Sequence, residues 1–129
     1  MPLVRIETRR GLSAQGKRKL MDGVHEALVT AFKIPDHDRN QRFVEYAPDD
    51  FDIPHGRGPQ YCIVEIVAFP GRSVDAKRVL YREIVARFAE AGIPREDVFI
   101  VLQEQPRENW AFRGGQAACD LELGFTVEV

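Results

Sequence analysis

The sequence predicts an α+β fold: two tandem β-α-β units forming a four-stranded mixed sheet, with two helices on one face. Three observations carry this. Gly11-Leu12-Ser13 recurs as Gly71-Arg72-Ser73, a repeat of about 60 residues. Each copy opens a segment with apolar residues at helical spacing. Each such segment is flanked by apolar runs short enough to be strands.

Taken in order, the first strand covers Leu3 to Ile6. Ser13 then starts a helix, because its hydroxyl can accept from the open amides of the first turn. Leu20, Val24, Leu28 and Phe32 mark one face of that helix, and Ile34-Pro35 ends it. A strand follows over Phe43 to Tyr46. The second half repeats the plan: a strand over Tyr61 to Ala68, a helix from Ser73 with Leu80, Ile84 and Phe88 on one face, a stop at Gly92-Ile93-Pro94, and a strand from Val98.

A strand, a crossover helix and a second strand in one sheet are parallel with a right-handed connection. The near-continuous run Val98 to Leu102 reads as a strand buried on both sides. Helices cover one face only, so the other calls for a second copy in a closed cyclic oligomer. The tail Leu121 to Val129 alternates apolar and polar residues and reads as an exposed strand able to pair with a neighbouring subunit. Residues 48–60 form a Pro-, Gly- and Asp-rich loop whose length points to a functional role. One domain is expected over residues 1–129, with repeat halves at about 2–47 and 61–103 and an extension over 104–129.

Composition excludes several classes. The net charge of −2 offers no basic field for nucleic acid. No apolar run is long enough to span a membrane, and no secretion signal is visible. Cys62 and Cys119 lack metal-ligand spacing, so reduced thiols in a cytoplasmic protein are expected, with a single disulfide left open. His25, His37 and His55 are scattered, no phosphate-cradling glycine loop follows a strand, and no nucleophile elbow is present. No cofactor and no metal are expected.

Pro2 is the most informative residue. Removal of Met1 would leave a ring-held secondary amine at the start of an apolar segment. Burial and neighbouring cations lower the pKa of such an amine, and a carboxylate raises it. A retained Met1 would make the same nitrogen an amide without basicity.

Pro2, Asp36-His37-Asp38-Arg39-Asn40-Gln41, Pro70-Gly71-Arg72-Ser73 followed by Lys77 and Tyr81, and Asn109-Trp110-Ala111-Phe112-Arg113-Gly114-Gly115 occur in this order. Together they resemble the tautomerase superfamily, in its malonate semialdehyde decarboxylase-like branch, from Pro2 to about Ala118. The resemblance implies the β-α-β fold of that superfamily, assembled as a homotrimer. It implies that Pro2 transfers protons, that Asp38 assists it and activates water, and that Arg72 holds the carboxylate of a small-molecule substrate. It also implies that Trp110 and Phe112 wall the pocket. The decarboxylase pattern has Arg-Pro-Arg where this chain has Pro70-Gly71-Arg72, so its first arginine is missing. Arg113, ahead of Arg39, Arg42 and Arg57, is the best replacement. His25 on the first helix is a lower-ranked substrate-binding candidate, by its similarity to dehalogenases of the superfamily.

Read singly, these residues have plainer roles. Asp38 can cap a turn, Arg72 can be a surface charge before a helix, and Trp110 and Phe112 can be core or interface aromatics. A lone helical histidine is more often structural. Three functions therefore stand side by side. The first is a cofactor-independent tautomerase acting on a small enol or keto acid. The second is a 3-oxo acid decarboxylase or hydratase. The third is a non-catalytic binding oligomer on the same scaffold. The balance of Asp38 against Arg72 on the proline nitrogen decides between the first two.

Overall fold

The structure, a computed structural model, describes residues 2–129. Met1, and with it the question of its removal, lies outside the described residues. Strand β1 (Leu3–Arg9), helix α1 (Ala14–Phe32) and strand β2 (Gln41–Tyr46) form the first unit. Strand β3 (Cys62–Ala68), helix α2 (Val74–Glu90) and strand β4 (Val98–Glu104) form the second. The strand order is β2-β1-β3-β4. β1 runs parallel to β2, β3 runs parallel to β4, and the two units meet antiparallel at β1 and β3. The mixed sheet expected from the repeat is present.

Both helix starts follow the serine signal. Ser13 Oγ accepts from the Gly16 amide and Ser73 Oγ from the Ala76 amide, each at 3.0 Å. Helix α1 stops where Lys33 turns left-handed (φ 57°) and its N–H reaches the Val29 carbonyl. The two apolar helix faces read from the sequence are the core: Leu20, Val24, Phe32, Leu80, Ile84 and Phe88 have no exposed surface, and Leu28 has 1%. They pack on Val4, Ile6, Val64 and Ile66 of the two central strands. The helices touch at Gly23, where a Cβ would come within 2.9 Å of Arg87 Cβ. That close approach offsets the cost of about 1 kcal/mol for a glycine inside a helix.

Strand alternation sends Leu3, Arg5 and Glu7 of β1 and Ile63, Glu65 and Val67 of β3 to the face without helices. There Arg5 bonds Glu65, and the Tyr46 hydroxyl donates to Glu7. β4 differs from the expectation of burial on both sides. It is an edge strand, Val98, Ile100 and Leu102 pack on the core, and Phe99 on the other side is 51% exposed. Its apolar run is continuous because both sides are apolar, but this chain covers only one.

The tail is also not the expected strand. Gly124 adopts φ 77° and breaks the extended run. Val127 turns inward, 4% exposed, against Phe69 and Ala118. The alternation of residues 121–129 is that of a strap laid over this chain's own surface. Before it, a short hairpin pairs β5 (Ala111–Phe112) with β6 (Gln116–Ala117), an element the sequence reading did not foresee. The 48–60 loop packs by its own means: Phe51 is buried near Tyr46 and Tyr61, and the Gly58 amide donates to Asp97 Oδ1. It lies where β2 ends and β3 begins, the sheet end opposite Pro2. Cys62 is buried, Cys119 is exposed, and both are free thiols.

Candidate active site

Pro2 is buried directly ahead of β1. The strand registers fix its surroundings. The Val4 amide donates to the Asn40 carbonyl at 2.9 Å, and Leu3 pairs with Val67. Pro2 therefore sits where the 33–40 loop enters β2 and where β3 leaves the sheet. The first of these segments carries Asp38. The second carries Arg72. Two charges far apart in sequence thus flank one end of β1, because the first crossover ends and the second begins at that end of the sheet.

Asp38 is half-buried in a turn closed by its own amide on the Pro35 carbonyl, at 3.0 Å. Arg72 is only 6% exposed. Its guanidinium lies 4.7 Å from the centre of the Phe32 ring, and Nη1 donates to the Phe69 carbonyl at 3.2 Å. Its Nε and Nη2 are buried without a hydrogen-bond partner among the described residues. Burial pulls the guanidinium below its ordinary pKa, and the charges of Glu104 and Asp38 oppose that. A buried cation with two unused donors is costly unless something pairs with it. A carboxylate is the partner that a guanidinium fork fits best.

Trp110 and Phe112 stand on Phe69. Trp110 meets the Phe69 ring edge-on at 5.1 Å between centroids, with its indole N–H on the Gln105 carbonyl at 3.1 Å. Phe112 lies 6.4 Å from Phe69 and 6.3 Å from Trp110. The Gln105 amide in turn bonds the Ala68 carbonyl at 2.8 Å, so the aromatic cluster is fixed to the end of β3.

A cleft of roughly 740 Å³ opens between residues 35–40 and the strap. Asp38, Phe112 and Arg113 line it, with Arg39, Leu121, Leu123 and Phe125. Pro2, Arg72, Trp110 and His25 are not on its wall. His25 is 4% exposed inside α1, with Nε2 3.3 Å from Asp36 Oδ1. Arg113 holds φ 44° at the tip of the β5–β6 turn and has no hydrogen bond or ion pair among the described residues. Arg39 is tied to Asp22 at 2.6 Å. Arg42 is an exposed strand residue, and Arg57 lies in the loop at the far end of the sheet. No group of His, Cys, Asp or Glu among the described residues is placed to hold a metal ion. No helix among them is long and apolar enough to cross a membrane.

Sequence reading misses five residues around the site. Phe32 was read as core only, yet its ring supports Arg72. Phe69 underlies both Arg72 and Trp110. Leu121, Leu123 and Phe125 were read as strand positions and instead line the cleft. Their alternation was visible, but the chain's turn at Gly124 was not.

Comparison with known proteins gives the family and the fold. A family profile described as tautomerase enzyme matches residues 38–113, and a second of the same description matches residues 2–56. A probable tautomerase of Bacillus subtilis strain 168, YusQ, is 30% identical over 123 residues, covering 91% of this chain and 97% of its own. The crystal structure of FG41 malonate semialdehyde decarboxylase inhibited by 3-bromopropiolate superposes with a TM-score of 0.82 at 30% identity. That match covers 88% of this chain and 91% of the decarboxylase. A fused 4-OT symmetric trimer shares the fold, with a TM-score of 0.81 at 22% identity over 91% of this chain and 96% of its own.

Proposed function

The chain belongs to the tautomerase enzyme family, and from that premise we propose a cofactor-independent tautomerase acting on a small 2-oxo acid and its enol. Pro2 is the acid–base group, Asp38 tunes it, and Arg72 binds the substrate carboxylate. The observation that carries this reading is the buried Arg72 guanidinium with two unpartnered nitrogens at the Pro2 end of the sheet.

The reaction follows from the residue types. Arg72 takes the carboxylate as a bidentate, charge-assisted pair. A neutral Pro2 amine accepts the proton of the enol hydroxyl and returns it to C3 as the carbonyl forms. The reverse order removes a C3 proton from the oxo acid. One well-placed acid–base group contributes about 10²–10⁴-fold. Asp38 raises the basicity of the amine and Arg72 lowers it, so their balance sets its charge state. Phe112 and Trp110 keep water from the reacting carbons.

The protein acts as a homotrimer in this reading. Leu3, Val67 and Phe99 face outward on the sheet side that no helix covers, and the fused 4-OT relative is a trimer. Apolar surface of that kind is usually covered by association.

A second reading is decarboxylation of a 3-oxo acid such as malonate semialdehyde. It is favoured by the 30% identity to the FG41 decarboxylase. Pro70-Gly71 where the decarboxylase pattern has Arg-Pro weighs against it. The test is exchange of C3 protons of pyruvate in D₂O, followed by proton NMR, beside CO₂ release from malonate semialdehyde. Exchange without CO₂ release supports the tautomerase, and CO₂ release without exchange supports the decarboxylase. Enzyme that retains Met1 must lose exchange; undiminished exchange in that form would refute the role of Pro2.

A further inference from the structure

We infer that Lys77 is a positioning residue: by holding the Glu104 carboxylate, it keeps the Arg72 guanidinium unpaired and open to the carboxylate of a substrate. The inference rests on the tautomerase reading, in which Arg72 takes that group.

The unpaired state of Arg72 needs a cause, because an acid stands close by. The β3–β4 register places Glu104 opposite Ala68, and the next residue, Phe69, offers the carbonyl that accepts from Arg72 Nη1 at 3.2 Å. Glu104 ends the row Val98, Ile100, Leu102, so alternation sends it to the sheet face that carries the helices. Its charge acts on Arg72 more strongly than that of Asp38 does. A buried guanidinium with two open nitrogens would ordinarily take such a carboxylate. Among the described residues Glu104 pairs instead with Lys77, Oε1 to Nζ at 3.0 Å. Lys77 is fixed in the first turn of α2, where its amide bonds the Ser73 carbonyl at 3.1 Å.

The first half of the chain holds the same pair without the arginine. Lys17 follows Ser13 at the spacing by which Lys77 follows Ser73, and it pairs with Glu45 of β2. Leu12 stands there where Arg72 stands in the second half. Glu45 lies opposite Thr8, at the sheet end away from Pro2. The lysine–glutamate pair is thus common to both repeats, and an ion pair that meets solvent adds little to stability. Only in the second half does its acid lie beside a cation that must stay open. Freed from Lys77, Glu104 would occupy the guanidinium fork as an internal carboxylate and compete with the substrate. Such competition weakens ground state and transition state alike, so KM rises while kcat is kept.

The test is steady-state C3 proton exchange of pyruvate in D₂O, on otherwise full-length protein lacking Met1, for the wild type, Lys77→Met, Lys77→Met/Glu104→Gln and Lys17→Met. Lys77→Met should raise KM by about tenfold and leave kcat within about twofold. The double variant, which also removes the competing carboxylate, should return KM to within about twofold of the wild type. Lys17→Met, the same loss in the other repeat, should leave KM unchanged. Lys77→Gln carries the same comparison where Lys77→Met does not fold. An unchanged KM in Lys77→Met, or an equal rise in Lys17→Met, overturns this inference and leaves the tautomerase reading intact. A double variant that keeps the raised KM also overturns it, because Lys77 would then act on the substrate itself. Exchange by no form, the wild type included, overturns the tautomerase reading and this inference with it.

Discussion

The backbone N–H of Ser73 donates to the carbonyl of Val129 at 2.8 Å, tying the strap to the residue next to Arg72. Gly71 on the other side makes this possible. It adopts φ 128°, and a Cβ there would lie 3.1 Å from Val127 Cγ1 and 3.3 Å from Glu128 Cγ. The turn that presents Arg72 is thus shaped jointly by a glycine and by a segment more than 50 residues away.

Gly71→Ala should disturb that turn. Its backbone conformation suits no L side chain, and the added methyl meets the strap. A loss of about 1–3 kcal/mol of stability is expected. KM should rise more than kcat falls, because the change acts through Arg72. Thermal melts with steady-state kinetics check both, and an unchanged KM would contradict the coupling.

Arg72→Lys keeps the charge but loses the planar fork. Loss of charge-assisted hydrogen bonding to a carboxylate is worth about 1.5–3 kcal/mol, so kcat/KM should fall by about 10–100-fold. The protein should also melt at a lower temperature, since a buried ammonium is harder to desolvate than a guanidinium and gives up the stacking over Phe32. Melting temperature and kcat/KM measured together separate the two effects.

Ser13→Ala and Ser73→Ala remove equivalent caps, each a 3.0 Å bond to a first-turn amide. Each should cost about 1 kcal/mol of stability. Only Ser73→Ala should also alter KM, because Ser73 follows Arg72 while Ser13 has no counterpart at the site. Denaturant titrations and kinetics on the pair test this.

The Cys62 thiol is pushed up to about 12 by burial, with a smaller contribution from Asp97. A raised folded-state value means stability that is complete below the unfolded thiol's pKa and lost as pH climbs toward the folded one. Stability should therefore fall between about pH 9 and 12, at up to about 1.4 kcal/mol per pH unit from this group. Cys62→Ala should flatten that part of the curve. In native protein at pH 8 a thiol reagent should modify Cys119 alone, and Cys62 should react only on unfolding.

Much of this architecture was legible because it rests on local signals. Ser13 and Ser73, the face Leu20-Val24-Leu28-Phe32 and its counterpart Leu80-Ile84-Phe88 each declare themselves within one or two turns. The repeat then implies parallel pairing within each unit, while the antiparallel joint of β1 and β3 that brings Arg72 to the Pro2 end is seen only in the structure. What stayed hidden depends on non-local packing. The tail carries the alternation of a strand, and only the inward turn of Val127 onto Phe69 makes it a strap. The run Val98 to Leu102 reads as buried on two sides, whereas Phe99 lies on the sheet face that this chain leaves open. Phe32 gives no sequence sign of carrying a guanidinium, because that contact joins the two repeats.

The central claim is that the Pro2 nitrogen does the proton transfer, and the most direct measurement is its NMR titration beside the pH dependence of C3 proton exchange, on protein lacking Met1. A single pKa should govern both curves, with exchange rising as the nitrogen loses its proton. A nitrogen that titrates while the exchange rate passes through the same pH range unchanged would contradict the account.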